Sequence, residues 1–419
     1  MRTIKWMLSL LLVAGGLATV LNGCKEDEPP ALALVGATAG SIDLNGATSG
    51  TGVPVTENIV LTFNVAVDQT SASSAITLLR NFDATMVATT ITVSGAEVTI
   101  NPADDFYGGA LYVLTLDASL TSTDGKTMAT PLERSFTTVG SFEVPGAIAK
   151  WTFEDTANDV IGTKDPSAGQ IVDLTFVAGR KADAGKAASF NGTTSIIEVS
   201  NGDALMNNGD WSMSIWVKPN STLAKGQFVL GLGAFYGFQF EISGGYNNFK
   251  MAASYAHNAP AGAGGFNEDL WADGEGKTKD KGDWQGWTFS KDFGVNTMSP
   301  VIKDNWAHYV FVYNATAKTG TVYLNGEKIK EQDFDLWPDG TNQRFTTGLK
   351  WRGAEPDVKN ELALGFIQSR AGTMWDAEPW GGYAQTGANH FHGLMDDLLI
   401  YHKVLTAGEI STLYNSGKP

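Results

Sequence analysis

Cysteine is almost absent from this chain: Cys24 is the only one in 419 residues. No internal disulfide can form, and no Cys/His spacing suited to zinc is present. Positive charge is scarce as well. The 29 Lys and Arg are outnumbered by 45 Asp and Glu, a net charge of −16. No basic run appears, which excludes a nucleic-acid partner held through its phosphates. Helical periodicity is missing between the first thirty residues and the C-terminus. No apolar run reaches the roughly 20 residues of a membrane-spanning helix. Tryptophan is missing from residues 7–150, yet eleven of the twelve lie beyond 150. A surface built from large flat rings therefore belongs to the second half of the chain.

What is present first is a leader. Arg2 and Lys5 precede a mostly apolar stretch from Met7 to Leu21, the build of a secretory signal. Leu21-Asn22-Gly23-Cys24 resembles a bacterial lipobox. The resemblance implies a signal peptide at 1–23, with a lipidated Cys24 as the first mature residue. Acyl chains contribute about 0.8 kcal/mol per buried CH₂ and give a stable membrane anchor when there are two or more. Loss of Arg2 and Lys5 takes the charge from −16 to about −18. Lys25-Glu26-Asp27-Glu28 resembles the export signal by which glycan-degrading Gram-negative bacteria place lipoproteins on the outer face of the outer membrane. Residues 24–50 read as lipidated Cys and tether.

From 51 to 140 the pattern is short alternating strands: "IVLTFNVAV", "ATTITVSG", "AEVTINP", "ALYVLTLDA" and "SFTTV". Turn residues recur every eight to twelve positions, as in a β-sandwich. Val53–Asn64, Val98-Thr-Ile-Asn-Pro102, Tyr112-Val-Leu-Thr115 and Phe136-Thr-Thr138 resemble the bacterial Ig-like module of S-layer and other surface proteins. The resemblance implies a spacer. "VGSFEVPGA" (139–147) is the seam.

Residues 148–419 continue in strands with longer loops. "KAASFNGTTSIIEV" reads as a hairpin about Asn191-Gly192, and Asn325-Gly326 marks another. Thr406 and Glu409 form a capping box ahead of a short final helix. Trp151-Thr-Phe-Glu154, Ala188–Gly192, Trp211–Pro219, Trp306–Val310, Val322–Gly326 and Gly393–Asp397, in that order, resemble the laminin-G-like, concanavalin A-like jelly roll. The expected fold is all-β: an N-terminal Ig-like β-sandwich, then a jelly roll. The resemblance implies a binding fold that also hosts glycoside hydrolases.

A retaining hydrolase needs two carboxylates about 5–5.5 Å apart. No strand carries Glu-x-Asp-x-x-Glu, so a binding module is the reading and hydrolysis the alternative. Glu154 and Asp159 share an acidic turn, while Asp396 lies on the last strand, read as sharing the face of Leu398 and Ile400. The first and last strands of such folds pair, so the three carboxylates are candidate ligands of a structural calcium. Two insertions, 257–300 and 369–390, gather aromatics among polar residues. Trp271, Asp283, Trp284 and Trp287 come from the first, Trp375, Trp380 and Tyr383 from the second. Rings beside amides and carboxylates suit sugars, and the expected ligand is a polysaccharide or oligosaccharide. A protein or matrix partner is the second reading.

Overall fold

The structure, a computed structural model, describes residues 30–46, 48–294 and 298–419; the leader, the lipobox and Cys24 lie outside them. Strands dominate the regular structure of the described residues, and they form two sandwiches in succession.

The first sandwich consists of two five-stranded sheets. Ile59–Phe63 directs Ile59, Leu61 and Phe63 inward, as its alternation predicts. This domain begins before residue 51. Leu34–Ala39 pairs with Ile59–Phe63, and Gly50–Val53 pairs with Leu132–Thr138. Residues 34–39, 42–43 and 50 of the expected tether are thus strand. Its small residues hid it, because Ala37 and Ala39 fill core positions without a hydrophobic signature. A short helix, Gln69–Ala75, was also invisible to periodicity. It begins where Asp68 accepts the amide of Ser71 at 2.7 Å.

The second sandwich places a nine-stranded sheet against an eight-stranded one. Between them lie Trp151, Trp211, Phe238, Phe240, Phe249 and Tyr309, all buried. The first and last strands of this domain pair, Ala147–Trp151 against His392–Tyr401. Asn325 and Gly326 take φ of 52° and 81°, the left-handed pair that a tight hairpin turn requires. Residues 186–199 do not form the expected hairpin. Lys186–Asn191 belongs to the nine-stranded sheet and Ile196–Val199 to the other. The Asn191 side-chain oxygen accepts the amides of Thr193, Thr194 and Ser195, which turns the chain from one layer to the next.

The two sandwiches share a core. Val310, Val312, Leu399 and Tyr401 lie on the outer side of the nine-stranded sheet. With Ile410 and Leu413 of the helix Ala407–Gly417, they join the apolar cluster of the first domain. The capping box is formed as expected: Thr406 Oγ1 accepts the Glu409 amide, and Glu409 accepts the Thr406 amide. A Cβ on Gly408 would lie 1.8 Å from the Phe82 carbonyl oxygen, so the helix approaches the first domain as closely as a backbone can. The Ig-like domain is therefore packed onto the jelly roll as well as joined to it by a linker.

Candidate functional site

The edge strand Gly262–Ala272 alternates in burial at its C-terminal end. Leu270 and Ala272 enter the core, and Asp269 and Trp271 occupy the opposite face. Its neighbours Phe249–Ala259 and Phe238–Ile242 pair without a register shift, so residues directly opposite share a face. Glu241, Lys250 and Trp271 form one row across three strands. Gln239, Ala252 and Asp269 form the next, and Ser254 and Asn267 continue it. The smallest side chain, Ala252, is central, and larger polar groups surround it.

Lys250 organises this face. Its ammonium lies 4.8 Å from the centre of the Trp271 ring. It also lies 3.1 Å from Asp269 Oδ2 and 3.6 Å from Glu241 Oε2. Gln239 donates to Glu241 at 3.1 Å. Burial raises the Glu241 carboxyl above its ordinary pKa, against the pull of Lys250. Other groups are unspent: Gln239 Oε1, Ser254 Oγ and Asn267 Oδ1 are buried with no hydrogen-bond partner in the protein. An unmatched buried polar atom costs about 1–3 kcal/mol, and all three are enclosed by the protein itself.

Most aromatics of the two insertions pack beneath their own loops. Only Trp271 stands on this face. Trp287 points inward beside Gln332 and caps the fully buried Lys330, whose ammonium lies 3.7 Å from its ring centre. Burial lowers the Lys330 pKa. Trp284 packs edge-on to Trp337 at 4.6 Å, so Trp284 and Trp287 close the gap between the sheet edges. Asp283 is exposed and accepts the Trp284 amide. Trp375, Trp380 and Tyr383 pack with Ile196, Phe228 and Phe366 in a small core beneath their own loop. The physical reason is common to both insertions: a long loop must bury something of its own to stay folded. The second insertion covers Phe228, which is paired with Glu241, and so it borders the polar face on the side opposite Trp271.

The three carboxylates expected to meet around calcium have separate partners. Asp159 is buried and accepts the amides of Lys150, Ile161, Thr163 and Lys164. Glu154 accepts the Lys186 amide at 3.0 Å. Asp396 does not share a face with Leu398. The last strand bulges between Asp396 and Leu399 relative to its partner, so Asp396 is opposite Trp216 on the outer side. There Arg180 forks between Asp396 and Asp397 and lies over the Trp216 ring. A guanidinium thus supplies the positive charge that the buried Asp396 needs. Among the described residues no group of three His, Cys, Asp or Glu gathers in a form that could hold a metal ion.

A cavity of about 470 Å³ opens beside that pair, between the domains, lined by Phe142, Glu154, Trp216, His308 and Asp397 among others. His308 is bonded to Ser214 Oγ at 2.8 Å. Burial and nearby Arg180 push its pKa down to about 3, so it stays neutral and is a poor base at neutral pH.

The sequence missed Gln239, Lys250, Ser254, Asn267 and Asp269. Each is the polar half of an ordinary strand alternation, and only the register gathers them.

Residues 42–138 match the family described as Bacterial Ig-like domain. Residues 191–362 match the Concanavalin A-like lectin/glucanases superfamily. No curated protein matches the chain. Solved structures of similar arrangement include the binding domain of Paraclostridial Mosquitocidal Protein 1, at 16% identity over 65% of this chain and 52% of that one, with a TM-score of 0.40. The receptor binding domain of botulinum neurotoxin D is similar at 12% identity over 64% and 52%, with a TM-score of 0.39. Domain 4 of an extracellular arabinanase from Geobacillus stearothermophilus, solved in complex with arabinotriose, is similar at 18% identity over 64% and 98%, with a TM-score of 0.35. The chain spans about half the length of the two toxin domains. In sequence and in architecture, the chain carries a bacterial Ig-like domain followed by a concanavalin A-like lectin/glucanase domain.

Proposed function

We propose that the protein is a carbohydrate-binding surface lipoprotein, anchored through Cys24 to the outer membrane and facing the exterior. The sugar binds on the outer face of the eight-stranded sheet. One observation carries this reading: Trp271 stands on one outer face with Lys250, Glu241 and Asp269, all of them partly exposed. The ring offers an apolar surface to a pyranose, and the amides and carboxylates meet its hydroxyls. A protein partner would call for a wide apolar patch, which this polar face does not offer.

Hydrolysis is the less favoured chemistry. Glu241 and Asp269 do converge, but on Lys250. An ammonium between them neutralises the base and fills the space that an anomeric carbon or water would need. Glycan-array binding by the mature chain, with product analysis of any bound oligosaccharide, tests both readings. Binding without cleavage is expected. Absence of binding across the array overturns the proposal, and released reducing ends move it to hydrolysis. For the anchor, labelled palmitate incorporation should be lost in Cys24→Ala; incorporation unchanged in that variant removes the lipoprotein reading.

A further inference from the structure

The polar face continues past Ser254 and Asn267. The next pair on the same side is Ala256 opposite Gly265, two of the smallest residues. The backbone of 349–352 enters beside them: Leu349 pairs with Tyr255, the Lys350 amide bonds Ser254 O at 2.9 Å, and the Arg352 amide bonds Tyr236 O at 2.9 Å. The Arg352 stem crosses the small pair, since a Cβ on Gly265 would lie 2.6 Å from Arg352 Cδ. Gly265 is what makes room for it.

Arg352 differs from most of the other described arginines. Arg80, Arg180, Arg344 and Arg370 each hold a carboxylate, and Arg134 donates to the Glu133 carbonyl at 2.9 Å. Among the described residues the Arg352 guanidinium has no ion pair and no hydrogen bond; its only bond is the backbone one to Tyr236. An unpaired, half-buried guanidinium in a chain of net charge −16 is unexpected, because carboxylates are plentiful. Its planar fork matches a carboxylate with two parallel bonds.

We propose that the sugar bound on this face is acidic, with Arg352 receiving its carboxylate and Trp271 stacking on a neighbouring unit. The inference rests on the carbohydrate reading above and narrows it to uronate-type glycans. The Trp271 row and the Gly265 row are six residues apart along the strand, about 20 Å, the span of a short oligosaccharide.

The test is calorimetric titration of the mature chain with a panel of oligouronates, each beside its carboxyl-reduced, neutral counterpart. Wild type should bind at least one acid about tenfold or more tighter than its neutral form. Arg352→Gln should level the two. Arg352→Lys should recover only part of the preference, because an ammonium cannot make the paired bonds. Trp271→Ala should weaken both forms alike. Equal affinity for acid and neutral forms, or a preference unchanged in Arg352→Gln, overturns the acidic assignment and leaves the carbohydrate reading standing. If neither form binds, nor any neutral glycan, the carbohydrate reading fails with it.

Discussion

The Lys250 ammonium and the Trp271 ring are cross-strand partners 4.8 Å apart, and the same ammonium holds Asp269 and Glu241 on its other sides. The contact holds the ring at the edge of the sheet. It also separates two tryptophan roles that composition alone confounds. Trp271→Ala should weaken oligosaccharide binding about tenfold or more, as loss of a stacking anchor does, with a melting temperature close to wild type. Trp375→Ala should do the reverse. That ring is buried against Phe235 and Tyr236, so its loss should cost about 3–5 kcal/mol of stability while residual folded protein still binds. Titration and denaturant melts of both variants check the pair. A Trp271 variant that is unstable yet binds normally contradicts the assignment.

A second prediction concerns Arg180. Its side chain is 4% exposed and that of Asp396 1%, and Arg180 Nε also bonds Gly417 O at 2.7 Å, tying down the final helix. Removing one partner of a buried pair leaves the other charged and unsolvated, at about 3–5 kcal/mol. Arg180→Met should therefore destabilise by that order in urea unfolding. Arg180→Met with Asp396→Asn should recover a good part of the loss, because the stranded charge is gone. A double variant as unstable as the single one shows that the arginine acts by packing on Trp216 alone.

The pH dependence follows from Glu268. It lies on the inward side of the edge strand, opposite Ala253, and burial, with Asp269 next to it, raises its carboxyl pKa to about 7. Between its ordinary 4.5 and 7 the folded protein holds a proton that the unfolded chain has released. Stability therefore falls as pH rises through that window and levels off above it. Asp396 is also raised, by burial and by Asp397, and adds a slope of the same sign. The melting temperature should be higher at pH 5 than at pH 7.5. Glu268→Gln should remove part of the difference, about 1–2 kcal/mol after allowance for partial exposure. A wild-type melt flat across this range contradicts the shift.

Much of the architecture was legible because it is written locally. Alternation gave Ile59–Phe63 and Trp211–Pro219, the Asn325-Gly326 dipeptide gave a hairpin, and the Thr406/Glu409 box gave the last helix. Asn191-Gly192 misled because the same residues that close a hairpin can also turn a chain between layers; the outcome depends on which strands are waiting. The site was less legible for a related reason. Trp271 was visible, but Glu241, Lys250 and Asp269 come from three strands, and only their shared register sets them in neighbouring rows. Tryptophan-rich loops suggested a surface, whereas Trp287 and Trp375 pay the folding cost of those loops.

The last prediction concerns the domain junction. Gly408 lies in the first turn of the final helix, with its Cα against the Phe82 carbonyl. By intrinsic preference alone, Gly408→Ala should stabilise the helix by about 0.5–1 kcal/mol. Here the added Cβ would fall 1.8 Å from the Phe82 oxygen, a backbone atom that cannot swing aside, so the helix and the first domain must move apart. Overpacking of this kind costs about 1–3 kcal/mol. The cost falls on the interface that Ile410 and Leu413 share with the first sandwich. Wild type should melt in one calorimetric transition, because the two domains share a core. Gly408→Ala should lower that transition or split it in two, with the Ig-like domain unfolding separately. Ser411→Ala, on the same helix and bordering the same junction, introduces no clash and should melt as wild type does. If Gly408→Ala instead raises the melting temperature, helix propensity has won, and the close approach at Phe82 does not hold the domains together.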